Sequence, residues 1–196
     1  MPTRPYYSII NNSNIKQIAN LLKNDGVIIY PTETVWAIGC NAMSKKAIDK
    51  IYSIKKRSQK KPLISLISTY SNLKKYVDIK QVNKGNIGVS DPDYPPTVIY
   101  SNCKDSLKHL ANSSNEIALR VTPMNELKKI IDEINAPLIS TSANVSGQEN
   151  PIELKNIHES ILNSVDLILN FDANLSGVPS KILKINIKGE IEYIRR

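Results

Sequence analysis

The 196-residue chain contains few of the residues on which common catalytic and metal sites depend. Its two cysteines, Cys40 and Cys103, lie far apart and form no C-x-x-C pair, which excludes a disulfide scaffold and a cysteine-rich zinc site. Its two histidines, His109 and His158, lie in polar segments, so a Ser-His-Asp or Cys-His mechanism has little material to work with. We therefore expect neither a protein-held metal nor a histidine-activated nucleophile.

Long apolar runs are also absent. No segment approaches the roughly 20 apolar residues that a membrane-spanning helix needs, and the opening M-P-T-R-P-Y-Y-S-I-I lacks the apolar core of a signal peptide. The hydrophobic fraction of 41% and the length are typical of one globular domain. We expect a single domain over residues 1–196, located in the cytoplasm and without membrane contact.

Positive charge is in excess, with a formal net charge of +8 and a pI of about 9.4. Such a charge is compatible with a polyanionic partner such as RNA. The abundance of Ile, Lys and Asn and the scarcity of Gly and Phe are also typical of an AT-rich genome, which offers a second explanation for the charge. Aromatic residues make up only 6% of the chain, and no aromatic-rich nucleic-acid motif is present. The charge therefore supports contact with nucleic acid only weakly.

Hydrophobic periodicity predicts alternating strands and helices. Continuous apolar runs predict buried strands at 27–30, 35–40, 63–67, 97–100, 116–121, 137–140 and 165–171. Amphipathic spacing and capping residues predict helices that start at Ser13 or Asn14, at Ser44, at Ser71, at Asn125 and at about 153.

The remaining segments complete the predicted fold. Residues 83–96 and 102–115 are predicted to be connections because their turn residues show little periodicity. Residues 180–187 and 190–194 predict a hairpin closed by Lys188-Gly189. The whole pattern indicates an α/β fold with a mixed, twisted sheet.

Two stretches place polar residues directly after a buried strand. The first reads V-I-I-Y-P-T-E-T-V-W-A-I-G-C from Val27, and its next helix leads into the cationic run I-K-K-R-S-Q-K-K-P-L. The second reads P-L-I-S-T-S-A-N-V-S-G from Pro137. Strand ends are where α/β proteins usually hold ligands, and clustered Lys and Arg suit a phosphorylated or carboxylated ligand. Taken singly, either stretch is equally explained by turn formation or by a solvated helix end.

Helical spacing predicts the direction of Lys55. This residue continues the apolar row of Ile48 and Ile51, so its stem should follow the core-facing edge and deliver its charge to a cleft. Arg57 should lie just past the end of the helix. For Trp36, a packing role is favoured over a place in the pocket wall, since tryptophan buries a large area.

Together the two stretches resemble the YrdC family, the threonylcarbamoyl-AMP synthases. The resemblance rests on Pro31-Thr32-Glu33-Thr34-Val35, Lys55-Lys56-Arg57, Pro62-Leu63 and Ser140 to Gly147, and it is weak only around 83–115. It implies the short, single-domain form, with a twisted mixed parallel and antiparallel sheet flanked by helices around a basic cavity. It also implies the reaction of L-threonine, bicarbonate and ATP to threonylcarbamoyl-AMP and pyrophosphate. The product would then serve tRNA modification beside the anticodon through downstream transfer proteins.

The resemblance further implies residue roles. The residues expected to be catalytic are Lys55, Arg57, Ser142 and Asn144. The residues expected to bind ATP are Arg57, Lys61, Ser142, Asn150 and Arg195. The residues expected to bind threonine are Thr34, Arg120, Ser140 and Ser180. Arg120 on a strand suits a carboxylate, although a salt bridge across the sheet is the alternative. Ser180 and Arg195 are also explained as ordinary hairpin-edge residues.

Two departures from the family pattern bear on function. Tyr94-Pro95-Pro96-Thr97-Val98-Ile99 replaces a W-P-G-P-[LV]-T segment, which changes the expected loop shape, and Leu66 stands where some relatives have histidine. Mg²⁺ is expected to accompany ATP, but no carboxylate cluster indicates a protein-held metal. The alternatives are a non-catalytic RNA-binding module in tRNA or ribosome maturation, and carbamoyl transfer of the kind found in hydrogenase-maturation carbamoyltransferases.

Overall fold

A single mixed sheet organises the computed structural model, which describes residues 6–7, 10–78, 93–185 and 190–195. Its strands within these ranges are β1 (Tyr6–Tyr7), β2 (Val27–Pro31), β3 (Trp36–Cys40), β4 (Ile64–Ile67), β5 (Thr97–Tyr100), β6 (Ile117–Val121), β7 (Leu138–Ser142), β8 (Leu167–Leu169), β9 (Ile182–Ile185) and β10 (Ile191–Arg195). Their order in the sheet is β1-β8-β2-β3-β7-β4-β6-β5-β9-β10.

Both strand orientations occur in this sheet. The parallel pairs are β1–β8, β2–β8, β4–β6 and β5–β9. The antiparallel pairs are β2–β3, β3–β7, β4–β7, β5–β6 and β9–β10. The predicted mixed sheet is therefore confirmed, as is the antiparallel pairing of the last two strands. The turn predicted at Lys188-Gly189 lies outside the described residues.

Helices cover both faces of the sheet. They are α1 (Asn12–Lys23), α2 (Lys45–Ile54), α3 (Leu73–Tyr76), α4 (Asn125–Ile134) and α5 (Glu159–Leu162). In β2, Ile28 and Tyr30 pack in the apolar cluster beneath α1 and α4, whereas Val27 and Ile29 pack in the cluster that holds α2. This alternation follows from the two-residue period of a strand, and it shows why β2 is apolar throughout. Trp36 is buried in the α2 cluster, so its predicted packing role is confirmed.

The helix caps agree only partly with prediction. Ser44 caps α2 as expected, since its Oγ accepts the Ala47 amide at 3.0 Å. The predicted cap of α1 at Ser13 or Asn14 is wrong, because Asn11 is the cap. The Asn11 side chain accepts the amides of Ser13 and Asn14, and the Asn14 side chain accepts the Asn11 amide in return. This reciprocal pair is a capping box, which satisfies free amides at the start of the helix from both sides.

Three predicted boundaries are corrected. The strand predicted at 137–140 continues through Ser142, because Thr141 and Ser142 pair with β3. The helix predicted at 153–163 is broken at the extended backbone of Ile157 and His158, and the His158 side chain caps α5. The connection predicted at 102–115 contains the 3-10 helix Asp105–Leu110, which buries Leu107 and Leu110.

Other features of the connections bear on the predictions. Most of the predicted loop at 83–96 lies outside the described residues. No helix in the described part of the chain combines the length and apolar character that crossing a bilayer requires.

Candidate active site

A cavity of about 270 Å³ lies over the half of the sheet formed by β7, β4, β6, β5 and β9. Alternate residues of these strands line it, among them Ile64 and Leu66, Thr97 and Ile99, Ala118 and Arg120, and Ser140 and Ser142. A two-residue spacing places such side chains on one face of a sheet. The strands thus build a rigid floor, and the small side chains of alanine and serine leave room above it.

Eight of the eleven residues predicted for the site line this one cavity. They are Thr34, Arg57, Arg120, Ser140, Ser142, Asn150, Ser180 and Arg195. The remaining three, Lys55, Lys61 and Asn144, are not among the lining residues. The structure therefore brings together positions that span more than 160 residues of sequence, from 34 to 195.

Lys55 faces the core, as its helical position predicted, with only 1% of its surface exposed. Its Nζ donates to the carbonyl oxygens of Ser142 and Asn144, the latter at 2.8 Å, and to Asn144 Oδ1 at 3.1 Å. The predicted delivery of its charge to the cleft is thus replaced by contact with the loop behind the cavity wall. Burial, and secondarily the charge of Arg57, lowers the pKa of Lys55 to about 7.

Asn144 connects Lys55 to the cavity wall. Its Oδ1 also accepts from Ser142 Oγ at 2.6 Å, while its Nδ2 donates to Gln148 O at 2.5 Å and contacts Asn150 Oδ1 at 3.5 Å. Asn144 is itself buried. Lys55 and Asn144 therefore hold Ser142 and Asn150 in place from behind.

The turn after α2 places Arg57 at the cavity. Lys56 closes the helix in the left-handed region, with φ of 48°, and the Arg57 side chain donates to the carbonyl oxygens of Lys61 and Pro62 at 3.3 and 3.1 Å. The Lys61 side chain is exposed, so this residue contributes its backbone to the arrangement. Three N–H groups of Arg57 remain for an anionic ligand, since guanidinium carries five donors.

Arg120 reaches the cavity from β6 and is almost fully buried. Its Nε donates to Pro95 O at 2.8 Å, and its Nη2 forms an ion pair with Glu33 Oε1. Burial lowers the pKa of Arg120, and the charge of Glu33 acts in the opposite direction. The ion-pair alternative is confirmed in part, since the partner Glu33 lies in the turn after β2 and not across the sheet, while the binding of a carboxylate by Arg120 stays a prediction. The carbonyl it contacts belongs to the segment that departs from the family pattern.

Glu33 is a lining residue to which the sequence analysis assigned no role. It is only 7% exposed and lies in the turn after β2, in a segment that is buried throughout. A carboxylate in such a segment requires a cationic partner. A carboxylate inside an apolar segment was therefore the feature of the sequence that could have indicated a role for Glu33. The sequence does not show which of the many basic residues is its partner.

The turn that carries Glu33 is held from two sides. Thr32 Oγ1 accepts the amides of Thr34 and Val35, each at 3.1 Å, which closes the turn locally. The connection between β8 and β9 crosses over it, as the amides of Ser176 and Gly177 donate to the carbonyl oxygens of Glu33 and Thr34 at 3.0 and 2.8 Å. Gly177 has φ of 73°, a backbone conformation that favours glycine. Thr34 and Glu33 are thereby fixed at the cavity.

The far wall joins β5, β9 and β10. Arg195 donates through Nε and Nη2 to Ser180 O at 3.0 and 2.6 Å, and Ser180 Oγ lies 2.9 Å from Thr97 Oγ1. Burial lowers the pKa of Arg195. The structure thus links the two residues for which an edge role was the alternative, and it adds the buried hydroxyl of Thr97, which the sequence analysis did not single out.

The described lining carries three guanidinium groups, one carboxylate, a row of hydroxyls and apolar side chains such as Leu66. Fixed guanidinium groups bind carboxylate and phosphate oxygens, often through two parallel hydrogen bonds. The described residues contain no group of three or more His, Cys, Asp or Glu side chains placed to hold a metal ion. The arrangement is suited to an anionic ligand that also has polar and apolar parts.

Comparison with known proteins shows to which family the chain is similar. The family model Sua5_yciO_yrdC, described as "Telomere recombination", matches residues 20–196. The threonylcarbamoyl-AMP synthase of Wigglesworthia glossinidia brevipalpis is 33% identical over 183 residues, which is 90% of this chain and 93% of that protein.

Solved structures show the same fold. The crystal structure of E. coli YciO superposes with a TM-score of 0.83 at 20% identity and covers 98% of this chain and 95% of its own. P. abyssi Sua5 complexed with L-threonine gives a TM-score of 0.80 at 21% identity and covers 93% of this chain. The match spans 54% of that longer protein.

Proposed function

The chain belongs to the Sua5/YciO/YrdC family, and from that premise we propose that it is a threonylcarbamoyl-AMP synthase. The reaction joins L-threonine, bicarbonate and ATP and releases threonylcarbamoyl-AMP, pyrophosphate and water. The synthases at about 30% identity match most of this chain and most of their own lengths, which supports the same activity here.

One observation carries the assignment of the site. Eight residues for which the family resemblance implies a role, drawn from separate segments of the chain, line one cavity. Its three arginines supply fixed positive charge for the phosphates of ATP and for the carboxylate of threonine. We assign Arg57, Arg195, Ser142 and Asn150 to ATP, and Arg120, Thr34, Ser140 and Ser180 to threonine.

The chemistry follows from these positions. N-carboxylated threonine is already anionic, so its attack on the α-phosphate of ATP needs positioning and charge neutralisation more than a strong base. Negative charge develops on phosphate oxygens in the transition state, where preorganised guanidinium groups stabilise it. Lys55 and Asn144 act from behind the wall, because their hydrogen bonds fix Ser142 and Asn150. Lys61 is also assigned to ATP. Its side chain is exposed and must turn toward the cavity to reach the ligand.

Further partners belong to the same proposal. Mg²⁺ is expected to enter with the phosphates of ATP, where it supplies charge neutralisation. The product is expected to pass to threonylcarbamoyl-transfer proteins that modify tRNA in the cytoplasm. The size of the cavity, about 270 Å³, favours small ligands over a nucleic-acid strand, and its polar side chains Ser140, Ser142 and Arg120 lie on the strands of its floor.

The site assignment is tested with Arg57→Ala and the matched control Lys60→Ala, which removes an exposed cation three residues away. We expect threonine-dependent pyrophosphate release to fall at least tenfold in the first variant and to stay near wild type in the second. Equal activity of both variants would contradict the assignment. Steeply salt-dependent RNA binding by a wild-type protein that releases no pyrophosphate would favour the non-catalytic RNA-binding alternative.

A further inference from the structure

The charges of the buried pair Glu33 and Arg120 are complementary to the two charges of an amino acid. An α-amino acid carries its ammonium and its carboxylate on the same carbon atom. Glu33 and Arg120 are in direct contact at the cavity, and Glu33 is the only carboxylate among the described lining residues. We propose that, in the complex that precedes N-carboxylation, Glu33 binds the α-ammonium group of the amino-acid substrate while Arg120 holds its carboxylate. This inference rests on the proposed function.

Both members of the pair have hydrogen-bonding capacity left over. Arg120 uses Nε on Pro95 and Nη2 on Glu33, which leaves several of its five donors for a carboxylate. Within the described ranges, no residue besides Arg120 is recorded in a bond to the Glu33 carboxylate. A carboxylate offers about four lone-pair positions, so Glu33 can accept from an ammonium group without giving up Arg120.

The position of Glu33 is held independently of the ion pair. The amides of Ser176 and Gly177 and the hydroxyl of Thr32 fix the backbone on both sides of it. Thr34, assigned to the same substrate, is the next residue. The backbone that carries Glu33 is thus fixed at the cavity, and Arg120 holds the carboxylate in its place there.

The competing explanation is that Glu33 only neutralises Arg120. A buried ion pair is weak evidence for stability, because apolar replacements of such pairs are often neutral or stabilising. Both explanations predict that loss of Glu33 disturbs threonine binding. They differ in which part of the ligand is affected, and a ligand without the amino group separates them.

The test measures binding of L-threonine and of (R)-3-hydroxybutyrate, which is threonine without its α-amino group, by isothermal titration calorimetry. We expect the wild-type protein to prefer threonine by at least tenfold, since hydrogen bonds to buried charged groups are among the stronger ones. In Glu33→Gln that preference should fall at least tenfold, mainly through weaker threonine binding. Glu116→Gln removes an ion-paired carboxylate outside the cavity lining and should leave the preference unchanged.

Three outcomes would overturn the inference or its premise. Equal weakening of both ligands in Glu33→Gln would show that Glu33 only holds Arg120. No preference for threonine in the wild-type protein would exclude recognition of the ammonium, whatever the variant does. Failure of the wild-type protein to bind threonine at all would instead contradict the proposed function. Glu33→Asp, which keeps the charge and the pairing partner, is the second variant if Glu33→Gln does not fold, and it should retain part of the preference.

Discussion

The effect of replacing Lys55 with methionine can be worked out from three hydrogen bonds of the structure. Methionine keeps an unbranched side chain but removes the ammonium group, so it keeps most of the packing while all three hydrogen bonds disappear. The oxygens left without this donor are the carbonyls of Ser142 and Asn144 and the Oδ1 of Asn144. All three belong to the loop that supports the cavity wall.

The expected loss of stability follows from these three oxygens. A buried polar group without a partner costs about 1–3 kcal/mol. Asn144 Oδ1 still accepts from Ser142 Oγ, so two carbonyl oxygens carry most of the loss. The variant also removes the cost of burying an ammonium group, which offsets part of it. We therefore expect a decrease of about 2–4 kcal/mol in the free energy of unfolding.

Urea denaturation followed by far-ultraviolet circular dichroism measures this change. Lys56→Met is the matched control, because it removes the neighbouring lysine, which is exposed. Activity of Lys55→Met, measured where it is fully folded, should also fall because Ser142 and Asn150 lose their support. Equal unfolding midpoints for Lys55→Met and Lys56→Met would refute the claim that the buried lysine holds the loop.

Three further predictions concern pH and local packing. The pKa of Lys55 is about 7 in the folded protein and close to 10.4 in an unfolded chain. Between these two pH values the unfolded state binds more protons than the folded state. The free energy of unfolding of wild type, relative to that of Lys55→Met, should therefore rise from pH 7 to 9 by up to about 1.4 kcal/mol per pH unit. A difference in unfolding free energy that does not change with pH would contradict the lowered pKa. Gly39→Ala should destabilise by about 3 kcal/mol or more, because its Cβ would lie 2.0 Å from the Ile139 carbonyl oxygen, and a urea midpoint near wild type would show that β3 and β7 can separate. Ser44→Ala should cost about 1 kcal/mol through loss of the α2 cap, with the exposed Ser53→Ala in the same helix as a control that should change little.

The sequence was sufficient for the parts of the fold that depend on local pattern. The apolar runs identified β2, β3 and β4, and the helical spacing identified α2 and α4, because burial in a sheet or against it leaves a clear period. The predicted N-terminus of α2 at Ser44 was right for the same reason. Local propensity and the apolar pattern agreed at these positions.

Two element boundaries could not be predicted, one set by distant strand pairing and one by an uncommon helix cap. The continuation of β7 through Ser142 depends on pairing with β3, about 100 residues earlier in the chain. The break at His158 depends on a histidine side chain acting as a cap, which is an uncommon capping residue. In the first case, distant strand pairing holds polar residues in regular structure. In the second, a local side-chain cap interrupts a helical pattern.

The same distinction applies to the site. The family resemblance identified eight residues that line the cavity, four of them inside the motifs and four at other positions. It did not reveal that Lys55 points to backbone carbonyls behind the wall, because helical spacing gives the face of a residue and not its partner. It also passed over Glu33, whose contact with Arg120 is visible only in the structure.

The proposed synthase activity can be tested by following labelled carbon from bicarbonate into the product. Wild-type protein is incubated with ATP, L-threonine and ¹³C-bicarbonate, and the nucleotide products are analysed by mass spectrometry. We expect threonylcarbamoyl-AMP that carries one labelled carbon, formed together with pyrophosphate and only when threonine is present. A folded protein that binds ATP but forms no labelled adenylate under these conditions would contradict the proposed activity.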